Sequence, residues 1–298
     1  WACWLFKAKR IYLDQSVFGV LDNYAKFQNN DQPQIAPAFA STVSIFFGKW
    51  DQIFPKIGFL FIFFPPLILS LNIFHKNLSF IFLCTTLYII NTFFINGLLD
   101  GLISIYFVFS LYLTFNIFVE EKFTYLKFFN LFSFLIILSL LKHEGLVLIL
   151  IIFMQIFLIG IIKKNLFKNL NFKILLILSL IPILMWKYIV FNNGITNIHL
   201  NSQSLFFFNE RILSLETYIL IIRYFFTSYS LLFSILFLIC TSIISKNTLI
   251  TKYAFSSGFI YIFLVLLVNL FSGLDFKWAL STSFNRVISM PVCYTFSF

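Results

Sequence analysis

Three ionisable side chains stand together between two apolar runs in the segment "SLLKHEGLVLIL", residues 139–150. Lys142 can bind a phosphate as a point charge, and Glu144 can position that lysine or bind a metal. His143 can ligate a metal, although one histidine alone is a weak metal signal. The alternative is structural, because Lys142 can reach towards water while Glu144 stabilises the start of the next helix. Gly145 allows either close approach or an unusual backbone angle.

Two further carboxylates are candidates for chemistry. Asp31 lies in "NNDQPQIAP", where Pro33 and Pro37 are expected to forbid a regular helix. A carboxylate on such a stiff loop suits a metal ligand or a general base, or it anchors its own turn. Asp100 in "NGLLDG" opens an apolar segment. A helix N-terminus stabilises an ionised carboxylate, which leaves Asp100 available to a cation or a lysine.

Basic side chains occur in two polar segments, 1–14 and 274–288. Lys7 and Arg10 in "WACWLFKAKRIYLD" share one face of a predicted helix at the membrane interface. This helix could place cations for a phosphate, or it could be a plain anchor. Arg286 in "LDFKWALSTSFNRVI" belongs to a predicted polar helix. Arg286 needs a counter-charge from a substrate phosphate or a protein carboxylate, or else it reaches water.

The composition predicts that these groups are carried by a polytopic, all-α membrane protein. The 298 residues are 60% hydrophobic and 11% charged, with a mean hydropathy of +0.96, whereas soluble domains carry about 25% charged residues. The net charge of +10 does not indicate nucleic-acid binding, because the lysines are scattered over short loops. The four cysteines lack metal-ligand spacing. Because the chain begins with Trp and stops in an apolar segment, we expect a fragment.

The apolar runs predict about eight transmembrane helices after an outer-face region, residues 1–56, that carries interfacial helices. Each run is near the ~20 residues that a helix needs to cross a bilayer. Pro65 and Pro66 are expected to kink the first of them. The transmembrane domain, residues 57–298, has its predicted spans at about 57–74, 79–97, 102–119, 126–141, 145–162, 173–191, 228–245 and 253–271, with a partial span from about 288.

The distribution of lysine predicts which side each loop faces. If residues 1–56 lie outside, the short inside loops hold eight lysines and the short outside loops hold only Lys142. This asymmetry satisfies the positive-inside rule. Asp31, Asp100 and the Lys142–Glu144 segment then all reach the outer face. Lys173 and Lys187 lie near opposite ends of one span and were set aside as cancelling.

In this order the motifs resemble the integral-membrane glycosyltransferases of the GT-C fold, in the branch of protein mannosyltransferases and lipopolysaccharide-core sugar transferases. The resemblance covers most of residues 1–290. Two departures stand out: Gln32 replaces a more usual aromatic residue, and the acidic pair that precedes the tryptophan-rich segment in that branch is not present. The matching segments are "WACWLFKAKRIY", "DQPQIAP", "NGLLDG", "LLKHEG" and "WALSTSFNR".

The resemblance implies transfer of a sugar from a polyprenyl-phosphate donor to a lipid, glycan or protein acceptor. The reaction would take place among membrane lipids, at the extracytoplasmic face of a bacterial inner membrane, often with a divalent metal. A metal could be held by one of the catalytic candidates. By role, the candidates are Asp31, Asp100 and Glu144 for catalysis; Lys7, Lys9, Lys142 and Arg286 for the donor phosphate; and His143, Trp278 and Ser283 in support.

Two other functions stay open at the level of sequence. A transporter or lipid flippase would show paired broken helices in repeated halves. Pro65 and Pro66 have no matching break in a second half, and the charges lie at helix ends. A non-catalytic membrane scaffold derived from GT-C enzymes is the third interpretation, since the upstream acidic pair is missing.

Overall fold

The computed structural model of this chain describes residues 2–19, 31–51, 53–73, 99–119, 124–162, 174, 176–195, 203–229, 231–232, 235–236, 239 and 248–288. Within these ranges the structure consists of helices joined by turns and short irregular segments and contains no β-strand, which agrees with the all-α class. The predicted span 79–97, most of the span 228–245 and the partial span from about 288 lie outside the described residues.

The helices are numbered in chain order. They are α1 (Ala2–Asp14), α2 (Ile35–Phe46), α3 (Phe54–Ile73), α4 (Asp100–Thr114), α5 (Tyr125–Leu141), α6 (His143–Ile162), α7 (Ile181–Asn192), α8 (Ser204–Leu213), α9 (Leu215–Thr227), α10 (Thr248–Phe271) and α11 (Phe276–Thr282). A π-helical turn continues α4 through Phe115–Val119, and another continues α11 through Ser283–Ile288. Helices therefore occupy the described parts of the predicted spans.

Among the described residues, two helices are long and apolar enough to cross a membrane, on length and composition alone. Asp100–Val119 has 20 residues, with 89% of its most apolar 18-residue stretch buried, and His143–Ile161 has 19 residues, with 44% of that stretch buried. Shorter apolar helices include Phe54–Leu69, Tyr125–Leu141 and Phe255–Phe271. The coarse prediction of apolar helices that suit a membrane agrees with this structure, and the eight-span topology stays a prediction.

The described residues fall into two compact units. Unit 1 comprises Trp1–Tyr106, Ile136–Gly145 and Leu180–Ile195, and unit 2 comprises the remaining ranges, Phe107–Leu135, Leu146–Ser179 and Thr196–Phe298. In unit 1, α2 packs against both α1 and α3. Small side chains allow the α2–α3 approach, because a Cβ on Gly58 would overlap the Phe39 carbonyl oxygen and lie 2.9 Å from Ala40 Cα.

The start of α2 corrects one expectation. Pro33 and Pro37 were expected to forbid a regular helix here, yet α2 begins at Ile35 and contains Pro37 in its first turn. The first four N–H groups of a helix have no partner within the helix, so a proline there removes nothing that the helix uses. The first intrahelical bond, from Ala38 N to Gln34 O at 2.9 Å, comes one residue after the proline.

Helix α3 runs through both of its prolines because another helix of unit 1 satisfies a carbonyl that they free. Pro66 has no N–H for the carbonyl of Ile62, four residues earlier. The hydroxyl of Tyr106 on α4, a fully buried side chain, donates to that oxygen at 2.6 Å. A buried carbonyl without a partner is costly, so Tyr106 supports the uninterrupted course of α3.

In unit 2, Arg211 of α8 satisfies the carboxyl end of α10. Its guanidinium donates to the carbonyl oxygens of Asn269, Ser272 and Leu274 at 2.8, 2.6 and 2.8 Å, and more weakly to that of Leu270. The cation also lies 5.0 Å from the ring centre of Phe276. The last carbonyls of a helix lack intrahelical partners and carry partial negative charge, so Arg211 holds the α10–α11 connection.

Polar side chains within unit 2 bond to one another. Gln155 of α6 donates to the hydroxyls of Ser256 and Ser257 on α10 at 2.8 and 3.1 Å. Asn269 donates to Ser283 at 2.8 Å. Buried polar groups are stable when they are paired in this way, and such bonds link apolar helices specifically.

Candidate active site

Lys142 joins the first turns of two helices in unit 1. Its ammonium lies 3.0 Å from Oδ1 of Asp100, the first residue of α4, and 2.6 Å from Oε1 of Glu144 in the first turn of α6. Both carboxylates therefore lie at helix N-termini, where the helix dipole attracts negative charge. We call Asp100, Lys142 and Glu144 the Lys142 cluster. Its central ammonium serves two carboxylates and lies within a largely buried set of side chains.

The close turn between α5 and α6 creates this arrangement. Helix α5 ends at Leu141 and α6 begins at His143, so Lys142 alone separates them. Gly145 N donates to Lys142 O at 3.0 Å, and a Cβ on Gly145 would overlap the backbone carbonyl oxygen of Leu138. Gly145 is therefore required by the close approach of two backbone segments, which is one of the two reasons expected from the sequence.

His143 lies between a carboxylate and a second lysine of the same unit. Its Nε2 is 2.7 Å from Asp31 Oδ2, and its Nδ1 is 3.1 Å from Nζ of Lys187 on α7. The residue before that lysine, Trp186, donates from Nε1 to the backbone carbonyl oxygen of Asp31 at 3.1 Å. We call Asp31, His143 and Lys187 the His143 chain. It connects three segments that are far apart in sequence.

Asp31 is ionised at neutral pH in this setting. Burial raises the pKa of Asp31, but the effects that lower it, led by the hydrogen bond from His143 and including the attraction to the Lys187 ammonium, outweigh burial. The pKa of Asp31 is therefore lower than that of an ordinary aspartate. A carboxylate in this state is a weak base and a stable negative charge.

The three carboxylates differ in their access to a ligand. The side chains of Asp31 and Asp100 are 3% and 5% exposed, whereas that of Glu144 is 28% exposed. Oε1 of Glu144 takes the ion pair with Lys142, and its buried Oε2 accepts no hydrogen bond from the described residues. A buried acceptor in this state is stabilised by a donor such as a hydroxyl group. Of the three carboxylates, Glu144 has the most exposed side chain.

The other predicted residues are distributed over both units. Lys7 and Lys9 lie on α1 of unit 1, where Lys7 is fully buried with its Nζ 5.4 Å from the Trp4 ring centre, and Lys9 is exposed. Trp278, Ser283 and Arg286 belong to unit 2.

In unit 2, the side chain of Trp278 is exposed, and its backbone N–H donates to the Asp275 side chain at 2.8 Å. Asp275 thereby caps α11, which lies in the predicted polar helix. Ser283 is buried and bonded to Asn269. The backbone of Arg286 lies in the π-helical turn that follows.

Sequence reasoning missed Lys187 and Trp186. Lys187 was set aside because a second lysine balanced it across one apolar run. The sequence pattern that could have identified Lys187 is an ionisable residue within the apolar segment "ILMWKYIV". A charge inside such a segment indicates a buried partner. Its partners, His143 and Asp31, could not be named without the tertiary structure.

A divalent metal does not fit the described residues as they are arranged. No group of three or more His, Cys, Asp or Glu side chains comes together in this part of the chain in a way that could hold one. Lys142 pairs with both Asp100 and Glu144, and His143 bonds to Asp31. A bound dication would have to compete with these partners for the carboxylates.

Comparisons of this chain with models of protein families, with curated proteins and with solved structures find no match.

Proposed function

We propose that this protein is an integral-membrane glycosyltransferase of the GT-C type. It moves a sugar from a polyprenyl-phosphate donor to a lipid, glycan or protein acceptor at the extracytoplasmic face of a bacterial inner membrane. The eight-span topology and the sidedness from lysine counting belong to this proposal. So does the resemblance of the five ordered motifs to GT-C enzymes.

One observation carries the proposal. Three of the five motifs, "DQPQIAP", "NGLLDG" and "LLKHEG", supply the ionisable side chains of the Lys142 cluster and, apart from Lys187, those of the His143 chain, both within unit 1. Structural reasons explain each charge separately, as a helix start or a turn anchor. They do not explain why three separate segments contribute their charges to adjoining sites. Ionisable groups gathered at the ends of apolar helices are typical of functional sites.

The proposed reaction assigns the proton to Glu144. The acceptor hydroxyl donates to Oε2 of Glu144 and gives up its proton as its oxygen attacks the anomeric carbon of the donor sugar. The new bond from oxygen to the anomeric carbon forms while the bond from that carbon to the phosphate oxygen breaks. The electron pair leaves with the polyprenyl phosphate, whose charge requires nearby cations.

Cations for the departing phosphate come from the basic candidates. Lys142 lies beside Glu144 and carries a charge that its two carboxylates hold in place. Lys9 is exposed on α1, which favours it over the fully buried Lys7 as a ligand for a donor that arrives from outside. Arg286, which the sequence predicts for the same role, belongs to unit 2.

The test is a transfer assay with the full-length protein in proteoliposomes. Polyprenyl-phosphate donors carrying radiolabelled hexoses or pentoses are supplied with lipid acceptors, and covalent product is measured. We expect Glu144→Gln to lower kcat by about 10²–10⁴-fold, the usual contribution of a positioned base. Asp31→Asn and Asp100→Asn are expected to lower it less. Glu216→Gln, on exposed α9, is the matched control and should be fully active.

Full activity of all three site variants would show that the site is assigned to the wrong residues. Uptake of labelled substrate into the vesicles without any covalent product would indicate a transporter or flippase instead. Neither uptake nor product with any donor class would favour a scaffold.

A further inference from the structure

The position of His143 between two charged side chains suggests a role that neither the motifs nor the proposed reaction assigns. The residue directly precedes Glu144 in the first turn of α6. Both of its ring nitrogens lie within hydrogen-bond distance of a partner, at 2.7 Å to Asp31 and 3.1 Å to Lys187. An imidazole held at both nitrogens cannot exchange protons with a substrate unless one of those bonds breaks. It can, however, fix the backbone that carries it.

The hydrogen bonds also determine which ring nitrogen carries the proton. The ammonium of Lys187 can only donate, so Nδ1 of His143 must accept. Nε2 then carries the proton and donates to Asp31 Oδ2. This assignment leaves Lys187 positive, Asp31 negative and the ring between them neutral. The other charged side chains near His143 are those of the Lys142 cluster: Lys142, Glu144 and Asp100.

Helix α7 contacts both of the other members of the His143 chain, His143 and Asp31. Lys187 contacts His143, and the adjacent Trp186, which is buried, fixes the backbone of Asp31 through its indole N–H. Two consecutive residues on one helix thus hold the loop before α2 and the first turn of α6. Asp31 is almost fully buried, so it acts on His143 and its surroundings more readily than on a large lipid-linked substrate.

We propose that Lys187, His143 and Asp31 are positioning residues that aim the Glu144 carboxylate by fixing the first turn of α6. The positioning role of the His143 chain rests on the proposed sugar transfer. The direction of its hydrogen bonds, in which Lys187 donates to His143 and His143 donates to Asp31, does not depend on that function. Lys187 donates to Nδ1, Nε2 donates to Asp31, and the ring keeps Glu144 in its place beside Lys142. His143 itself transfers no proton in the reaction.

A pair of His143 variants separates positioning from acid–base chemistry. Glutamine can reproduce both bonds, because its amide N–H can donate to Asp31 while its oxygen accepts from Lys187. His143→Gln should therefore keep kcat within about threefold of the wild type, whereas His143→Leu should lower kcat by about 100-fold with little change in KM. Lys187→Met should behave as His143→Leu does, and Lys252→Met, an exposed lysine on α10, should have no effect. Loss of activity in His143→Gln equal to that in His143→Leu would overturn the positioning role.

Two measurements on the full-length protein in detergent need no substrate. Nitrogen-15 spectra of histidine-labelled protein at pH 8 should show His143, assigned by its loss in His143→Gln, as the neutral form with the proton on Nε2. Thermal unfolding should show that His143→Leu and Lys187→Met are not additive. A charged imidazolium, a proton on Nδ1, or additive changes in the unfolding midpoint would contradict the proposed hydrogen bonds of the His143 chain. If both measurements give the expected results while no donor yields product, the hydrogen bonds of the His143 chain are supported and the proposed function is wrong.

Discussion

The hydroxyl of Tyr106 donates a 2.6 Å hydrogen bond to the carbonyl oxygen of Ile62, the acceptor that Pro66 leaves without its intrahelical donor. Two prolines in the middle of an apolar helix would ordinarily bend or break it. Here a neighbouring helix of the same unit supplies the missing donor. The site shares this feature, since Asp100 is paired with Lys142 and Asp31 with His143, residues from other segments of the chain.

Tyr106→Phe should destabilise the protein by about 1–3 kcal/mol, because it leaves the Ile62 carbonyl buried without its donor. The measurement is the free energy of unfolding in detergent. Adding Pro66→Ala to Tyr106→Phe restores the intrahelical N–H and should recover most of the loss. Tyr188→Phe, on the exposed face of α7, is the control for removal of a hydroxyl. Equal losses in the single and double variants would contradict this account.

Lys142→Met should be among the most destabilising substitutions in unit 1, at about 3–5 kcal/mol, since it leaves Asp100 and Glu144 without their shared cation. The combination with Asp100→Asn removes one of the stranded charges and should be more stable than Lys142→Met alone. Unfolding in detergent measures both. A double variant no better than the single one would show that Lys142 acts mainly through packing.

Gly145→Ala should destabilise the α5–α6 turn by about 1–3 kcal/mol, the usual cost of overpacking. The added Cβ meets backbone at the Leu138 carbonyl, which cannot move aside as a flexible side chain does. Because the turn carries Lys142 and Glu144, activity should fall together with the unfolding midpoint. Leu150→Ala, an exposed change on the same helix, serves as the comparison and should have little effect on either.

Arg211→Met should lower the free energy of unfolding by about 2 kcal/mol, because hydrogen bonds from a charged donor are among the stronger ones. The carbonyls at the end of α10 would lose their donor. Arg223→Met, an exposed arginine on α9, tests whether loss of a positive charge alone matters. If the two variants were equally stable, the carbonyl contacts would contribute nothing measurable.

The stabilising contribution of Asp31 should depend on pH in the acid range. Its pKa is lower in the folded protein than the ordinary value of about 3.9. The ionised form therefore stabilises the fold fully above the ordinary pKa, and this contribution is lost as pH falls through the lower folded value. The difference in unfolding midpoint between wild type and Asp31→Asn should stay constant from pH 7 to about 5 and shrink below about 4. If the difference in unfolding midpoint grew as the pH fell, the pKa of Asp31 would not be lowered in the folded protein.

Much of the site could be predicted because its residues break the local pattern. Lys142, His143 and Glu144 interrupt an apolar sequence, and Asp100 opens one, so their positions at helix ends follow from the sequence alone. Lysine counting predicts that they share a membrane face with Asp31, and this sidedness stays a prediction. The structure shows the contacts of Lys142 with Asp100 and of His143 with Asp31. Lys187 was missed because its sequence neighbours are apolar and its partners lie 44 and 156 positions away.

The all-α class, helices apolar enough to suit a membrane, and the positions of the charges along those helices can be predicted from the sequence. Composition and the length of the apolar runs are sufficient for that, because burial of apolar surface and local hydrogen bonding act within each segment. The three-dimensional structure was needed to show that Asp100 and Glu144 share Lys142, that Lys187 and Asp31 both bond to His143, and that α2 begins at a turn that contains proline. Charge pairing and the satisfaction of buried carbonyls depend on which segments meet, and the spacing of residues along the chain does not encode that directly.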